Sequence, residues 1–362
     1  MPTKIFMTQR TNRHIVKRLN SDVDPAVYDN ASFGVYTIPG VTNSDLNFPK
    51  GITCDTTGNV YICDTKNQRI VKLDSNLTFV AVYSTINTIG TPYAITFDAV
   101  TGDLYIVGVY AHIYARIQRL TTALASVKVS GNLNAMNDLW HKPTGIVKYA
   151  TGSLAVTGAN LGLYLTTEQA SSFTTFVQQS ISGEYTRWPE IYEKTNYDGI
   201  VLHSNGYLYL NDGKRILKVN ATTFANLGDS DLISETLSTL KLGTNNTLLT
   251  YDVDNRKIVR YDADLNYVED VYWNQKRLVY NTLVGSFTVG EEVRTSSGYT
   301  YGRGIITAND GSQMDITVTR EGFANTLSVV GVTSGATCTI TNIQNPIAID
   351  ATDLGDLYEI VI

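Results

Sequence analysis

Chemistry at a protein site needs a nucleophile, a proton carrier or a set of metal ligands. This sequence offers few of them. Its four histidines, His14, His112, His141 and His203, lack metal-pair spacing and have no Cys-x-x-Cys partner. No Gly-x-Ser-x-Gly elbow, phosphate-binding loop or dinucleotide fingerprint occurs. Three cysteines, Cys54, Cys63 and Cys338, are too few for a disulfide framework. Cys54 and Cys63 flank a predicted hairpin turn, and the sequence leaves open whether they face each other. Asp55, Asp98, His203 and Asp350 each lie just before a predicted turn. A polar side chain recurring before a turn more often caps it, by accepting N–H groups a few residues on. Asp350, Asp353 and Asp356 do not match the EF-hand spacing. We therefore expect no enzyme, no catalytic residue, no bound metal and no cofactor.

Binding chemistry is better represented. Trp140-His141-Lys142-Pro143 and Trp188-Pro189-Glu190 each precede a predicted strand, and Trp273 follows one. An indole buries an apolar face while its N–H keeps a polar contact, which suits sugar stacking or a protein hot spot. The competing role for each tryptophan is packing between repeated units. The candidate partner- or glycan-binding residues are Trp140, His141, Lys142, Trp188, Glu190, Trp273, Tyr299 and Tyr301. Arg13, Arg69, Arg215 and Arg256 recur in another turn, where ion pairs with Asp across neighbouring units are expected. A net charge of −6 gives no global attraction to nucleic acid or an anionic membrane, so neither partner is expected.

The elements that must carry these residues are strands. The chain has 362 residues, with 46 Thr, 28 Asn and 23 Tyr but only 17% charged residues. Thr and Tyr favour pleated, half-buried surfaces. No apolar run approaches the roughly 18 residues of a membrane span. The first ten residues lack the apolar stretch of a signal peptide, so synthesis and folding in a cytoplasm are expected.

Repeats set the architecture. Pro49–Asp64 reads as strand, turn at Gly58, strand; Arg69–Asp74 and Phe79–Tyr83 add a third and a fourth. The unit recurs with its turn at Gly102, Gly152, Gly206, Asn246 and Gly355, at spacings of 44, 50, 54, 40 and 109 residues. Glycine and asparagine tolerate the positive φ that such a turn needs. The first four spacings fit one propeller blade each. The last exceeds a blade by roughly 65 residues and places an insert before the sixth unit. Ile5–Lys17 resembles Val60–Lys72, so the N-terminus supplies later strands of a blade begun at the C-terminus. Such sharing removes the open edge. Ile5–Thr8 and Leu357–Ile360 both match that blade's second strand, and one of them must lie elsewhere.

The expected fold is all-β: a six-bladed β-propeller closed by N- and C-terminal strands sharing one blade, with an inserted small β-barrel or sandwich. The expected divisions are 1–276 for the propeller, 277–345 for the insert and 346–362 for the completing strands. The Asp64–Ile70 turn, echoed at Thr11–Ile15 and Asp254–Ile258, resembles NHL-type six-bladed propellers. Some members of that group bind RNA, and some six-bladed propellers are calcium-dependent lactonases or lyases, with inner-strand carboxylates and amides around a central metal; that likeness would make Asp55, Asp98, Asp350 and His203 the candidate ligands. Phe287-Thr288-Val289-Gly290-Glu291-Glu292-Val293 and Gly331–Ile340 resemble small β modules of tailed-bacteriophage virion proteins. That resemblance implies a non-enzymatic structural component of a virion: tail, head–tail or capsid-decorating. It implies other virion proteins as partners, a symmetric homo-oligomer and contact with host surface glycan. The alternatives are a carbohydrate- or receptor-binding propeller and a calcium-dependent lactonase-type propeller.

Overall fold

The structure, a computed structural model, describes residues 4–9, 15–19, 27–28, 38, 45–132, 143–158, 162–174, 177–179, 181, 197–231, 233, 237–243, 246–252, 257–272, 275–295, 302–320, 323, 325–344 and 357–361. Among these residues the strands form six four-stranded antiparallel sheets and one closed six-stranded barrel.

Each sheet is a blade whose innermost strand comes first. Blade 1 is Pro49–Cys54, Val60–Asp64, Arg69–Leu73 and Phe79–Ser84. Blades 2 to 5 begin with Thr91–Asp98, Pro143–Ala150, Gly199–Leu202 and Leu237–Leu242. The sixth sheet runs Leu357–Val361, Lys4–Gln9, Ile15–Leu19, Val27–Tyr28. Its Leu357–Val361 strand packs between the inner strands of blades 5 and 1, which closes the ring. The ambiguity between Leu357–Ile360 and Ile5–Thr8 resolves accordingly. The C-terminal segment is the innermost strand, and the N-terminal one is second. The expected first strand around Pro346–Asp350 lies outside the described residues, as does Gly355.

The turn expectation holds at every described position. Gly58, Gly102, Gly152, Gly206 and Asn246 all have positive φ, between 55° and 83°. Second strands are the most buried elements, with all five residues of Val60–Asp64 inaccessible. The core is a series of apolar layers between blades. Tyr61, Cys63, Ile70, Ile95, Ile106 and Leu120 fill the space between blades 1 and 2. Val147, Leu163, Ile200, Leu208 and Leu217 fill that between blades 3 and 4. Cys54 pairs with Val60 and Cys63 with Ile70, so the two thiols do not face each other, and no disulfide joins them.

Neighbouring inner strands meet at backbone distance. A Cβ on Gly51 would stand 2.8 Å from Tyr93 O and 2.9 Å from Ala94 Cα. One on Gly199 would stand 2.5 Å from Leu240 N. The register slips by a bulge at this place in blades 1, 2, 3 and 5. Close approach of two backbones is a reason for glycine inside a strand.

Antiparallel order gives the ring two distinct faces. Turns between first and second strands, and between third and fourth, lie on one, here the hairpin face. Turns between second and third strands, and the links to the next blade, lie on the other, the link face. The barrel follows the outer strand Tyr267–Tyr272 and so leaves from the link face. It consists of Gln275–Val284, Glu292–Thr295, Arg303–Asn309, Gln313–Arg320, Ser328–Gly331 and Thr337–Gln344. Leu278, Phe287, Val293, Met314, Ile316 and Ile340 are among the residues of its own core.

Gly199→Ala is expected to lower stability by about 2–3 kcal/mol, because backbone must move. Gly131→Ala, where a Cβ meets nothing within 4 Å, should stay within about 0.5 kcal/mol. Denaturant unfolding of both variants checks the closure argument.

Candidate functional site

The described hairpin-face residues of the candidate metal set, Asp55, Asp98 and His203, are engaged in turns, and Asp350 lies outside the described residues. The Asp55 carboxylate accepts from the backbone N–H groups of Thr57 and Asn59, from their side chains, and from the Tyr61 hydroxyl at 2.9 Å. Burial raises its pKa, but these hydrogen bonds outweigh that and hold it below the usual range. Asp98 accepts from Val100 N, the Thr101 hydroxyl and Lys148 Nζ. His203 Nδ1 accepts from Asn205 N, while its Nε2 lies 2.8 Å from Asn246 O. Asp74 and Asp262 cap third-to-fourth-strand turns in the same way. Among the described residues no group of three or more His, Cys, Asp or Glu is arranged to hold a metal.

On the link face, Asp64 anchors the turn that follows its strand. Its carboxylate accepts from Asn47 N at 2.7 Å, Asn67 Nδ2 at 2.9 Å and Arg69 Nε at 2.6 Å. Asn67 and Arg69 also donate to Asp45 O, which ties the incoming link to the turn. The pair is buried, and burial pushes the Asp64 pKa up despite the adjacent cation. Arg215 pairs with Asp229 on the outer strand of its own blade. The expectation of pairing between blades is therefore corrected for Arg69 and Arg215, whose partners sit too close in the chain for that. Arg13 and Arg256 lie outside the described residues.

Pairing between blades lies instead on the hairpin face, where Lys148 of blade 3 reaches Asp98 of blade 2 and third-strand cations join further blades. Lys72, Arg119 and Lys218 stand directly opposite Tyr61, Tyr105 and Tyr209 on the second strands. Each couple reaches the third-to-fourth-strand turn of the next blade. Tyr61 and Lys72 both donate to Thr122 O. Tyr105 and Arg119 both donate to the Glu168 carboxylate, which Lys128 also binds. Tyr209 donates to Ala263 O and Lys218 to Asp264. Burial raises the Glu168 pKa, and the three donors reverse the shift.

A further set of polar side chains lies at the link-face end of the inner strands. Lys50, Tyr93, Thr144, Asp198 and Ser238 hold one equivalent position in five successive blades. Lys50 Nζ sits 4.5 Å from the Tyr93 ring centroid, and the Thr144 hydroxyl donates to Tyr197 O. The Ser238 hydroxyl is buried without a hydrogen-bond partner. Burial, with the neighbouring Asp212 charge, pushes the Asp198 carboxyl up to about 6. A carboxyl exchanging its proton near neutrality, a hydroxyl and an ammonium can bind polar groups and carry a proton. Sequence reasoning followed the residue before each hairpin turn and missed this position. Aligning Asp198-Gly199-Ile200 with Lys50-Gly51-Ile52 would have found it.

The predicted binding residues Trp140, His141, Lys142, Trp188, Glu190, Trp273, Tyr299 and Tyr301 all lie outside the described residues. Their chain neighbours can be placed. Asn132 and Pro143, which bound the Trp140 link, and Ile181 and Tyr197, which bound the Trp188 link, lie at the link face.

Residues 46–73, which hold the Asp64–Arg69 clamp, match the NHL repeat. No curated protein matches the chain in sequence. Solved propellers match in fold. A protein of unknown function from Bacteroides caccae has a TM-score of 0.53 at 10% identity, covering 75% of this chain and 93% of that one. The nidogen/laminin complex gives 0.51 at 12%, covering 74% and 92%. A catalytically inactive virginiamycin B lyase from Staphylococcus aureus with quinupristin gives 0.50 at 14%, covering 87% and 91%. At such identities the likeness shows the fold alone.

Asp198 also makes a pH prediction. Its folded pKa is raised from 3.8 to about 6, so its contribution to stability is fully present below pH 4 and lost as pH rises through 6. Asp198→Asn should therefore exceed the wild type by up to about 3 kcal/mol at pH 8, with the gain vanishing near pH 4. Melting temperatures across that range check the sign; an equal gain at both ends would contradict it.

Proposed function

We propose that this chain is a non-enzymatic docking component of a tailed-bacteriophage virion. The propeller is its rigid platform and the barrel its appended contact module. The observation that carries this reading is how the polar residues are used. Asp55, Asp98 and His203, the described members of the candidate metal set, are committed to turns within the fold. The described strand ends that bound the long links, and the start of the barrel, by contrast, lie on one face. A ring stitched by hydrogen bonds and ion pairs presents such a face without rearranging, which favours association with other virion proteins.

The barrel supports the setting. The two halves of its phage-like string interlock. The Glu291 carboxylate, from the first half, accepts from Thr288 N, Thr333 N, Ser334 N and the Ser334 hydroxyl, mostly in the second. Burial raises the Glu291 pKa, and these four donors bring it below its ordinary value. Repeated virion parts assemble with closed symmetry, so a symmetric homo-oligomer within the particle belongs to the proposal.

Mass spectrometry of purified virions is expected to find the chain at a fixed stoichiometry relative to the capsid protein. Its absence from washed particles would defeat the virion assignment.

A further inference from the structure

The barrel strands have two ends. Gln275 and Gln344, where the chain enters and leaves, lie at one of them, since Arg277 pairs with Gln344 and Gln275 with Thr317. Thr295 and Arg303, which bound the loop carrying Tyr299 and Tyr301, lie at this proximal end too, because Arg303 pairs with Arg320 beyond Thr317. The distal end is made by loops 285–291, 310–312 and 332–336.

The distal end is unusually apolar for a loop cluster. Val284 is 68% exposed, Val289 58% and Val332 49%, with Leu283 beside them at 38%. Two features hold these residues outward. Thr282 has φ +49° inside a bulge, where the register slips between Asn281 and Val284. A β-branched residue in the left-handed region is strained, and bulges re-aim the side chains that follow them. Glu291 then ties the Val289 loop to the Thr333–Ser334 turn, next to Val332. A Cβ on Gly331 would stand 2.6 Å from the Glu291 carboxylate, so only glycine leaves room for this tie. Strain and a buried carboxylate thus maintain an apolar surface that folding alone would rather bury.

Charge selects the occupant. Segments 281–292, 309–313 and 331–337 contain Glu291, Glu292 and Asp310 but no Lys, Arg or His; Glu292 is paired with Arg294 at 2.7 Å, so Glu291 and the exposed Asp310 give the tip its negative sign. Two copies facing each other would bring Asp310 against Asp310, and an anionic membrane would repel the tip. The geometry points to the distal end of the barrel as the docking surface for a different protein, one whose contact presents apolar side chains flanked by Lys or Arg. This rests on the docking reading above and names the contact within it.

The test uses the full chain in assembled particles. A photo-cross-linking p-benzoylphenylalanine at position 289 should capture one other virion protein, at a segment with apolar residues beside Lys or Arg. Val289→Lys should reduce incorporation roughly tenfold, and Val289→Asp clearly less, with melting temperatures of both free chains unchanged. Incorporation of both variants at the wild-type level would overturn this inference and leave the docking reading standing. So would cross-linking to a second copy or to lipid, or an Asp effect as large as the Lys effect. Absence of the wild-type chain from particles would overturn both.

Discussion

Everything in this molecule depends on six inner strands meeting at backbone distance. A ring that tight leaves room for a methyl group at most where adjacent strands cross. The position is Gly51, Ala94, Gly145 and Gly199 in blades 1 to 4. Blade 5 has Thr239 there and meets the constraint with its backbone instead, at φ +57°. The Thr239 carbonyl is held in that conformation by Asn211 Nδ2 and by the Thr250 hydroxyl, each at 3.0 Å. A residue in the left-handed region persists only where surrounding structure over-determines it. Closure is thus satisfied by composition in four blades and by strain with two hydrogen bonds in a fifth.

Closure also decides where chemistry can reside. With the blades fixed radially, polar groups remain at the two faces, and the faces divide the work. The hairpin face is used for stitching. A second-strand tyrosine and a third-strand cation reach the next blade's outer turn from blades 1, 2 and 4. Blade 3 has Ala155 opposite Leu165 at that place, and the contact changes character. Tyr149 meets Phe224, from the corresponding turn of blade 4, edge to face at 5.9 Å. The same junction is made by charge in one place and by an aromatic pair in another. This is why it leaves no single motif in the sequence.

Legibility follows from that difference. The propeller was readable because its turn position demands positive φ, which restricts residue choice in blades 1 to 5. The barrel was readable as a β module by alternation. The order of the closing blade was not, since Leu357–Ile360 and Ile5–Thr8 carry the same alternating pattern and only closure distinguishes inner from second strand. Arg69 was correctly expected to pair with an Asp, but the expected direction was wrong. A recurring cation at one turn does not say whether its partner lies across a blade boundary, and Asp64 was five residues away. Asp198 was passed over because its proton affinity comes from burial and from Asp212, neither of which is local in sequence.

The barrel separates what is fixed by folding from what is free to specialise. Within its string, Gly331 makes room for the Glu291 carboxylate, and Ser334 and Thr333 donate to it. Ala336 fits beneath Gly285, where a Cβ would come within 3.2 Å. The glycines, the glutamate and the small residues of the string are therefore requirements of one clamp, and a partner need touch none of them. Val284, Val289 and Val332 satisfy no such requirement, because they are exposed and their side chains contribute nothing to the clamp. A β-branched side chain facing water adds little to folding, whereas at an interface the same apolar area leaves water when the partner arrives. The clamp's physical role is then to hold those side chains still, so that less conformational entropy is lost on contact.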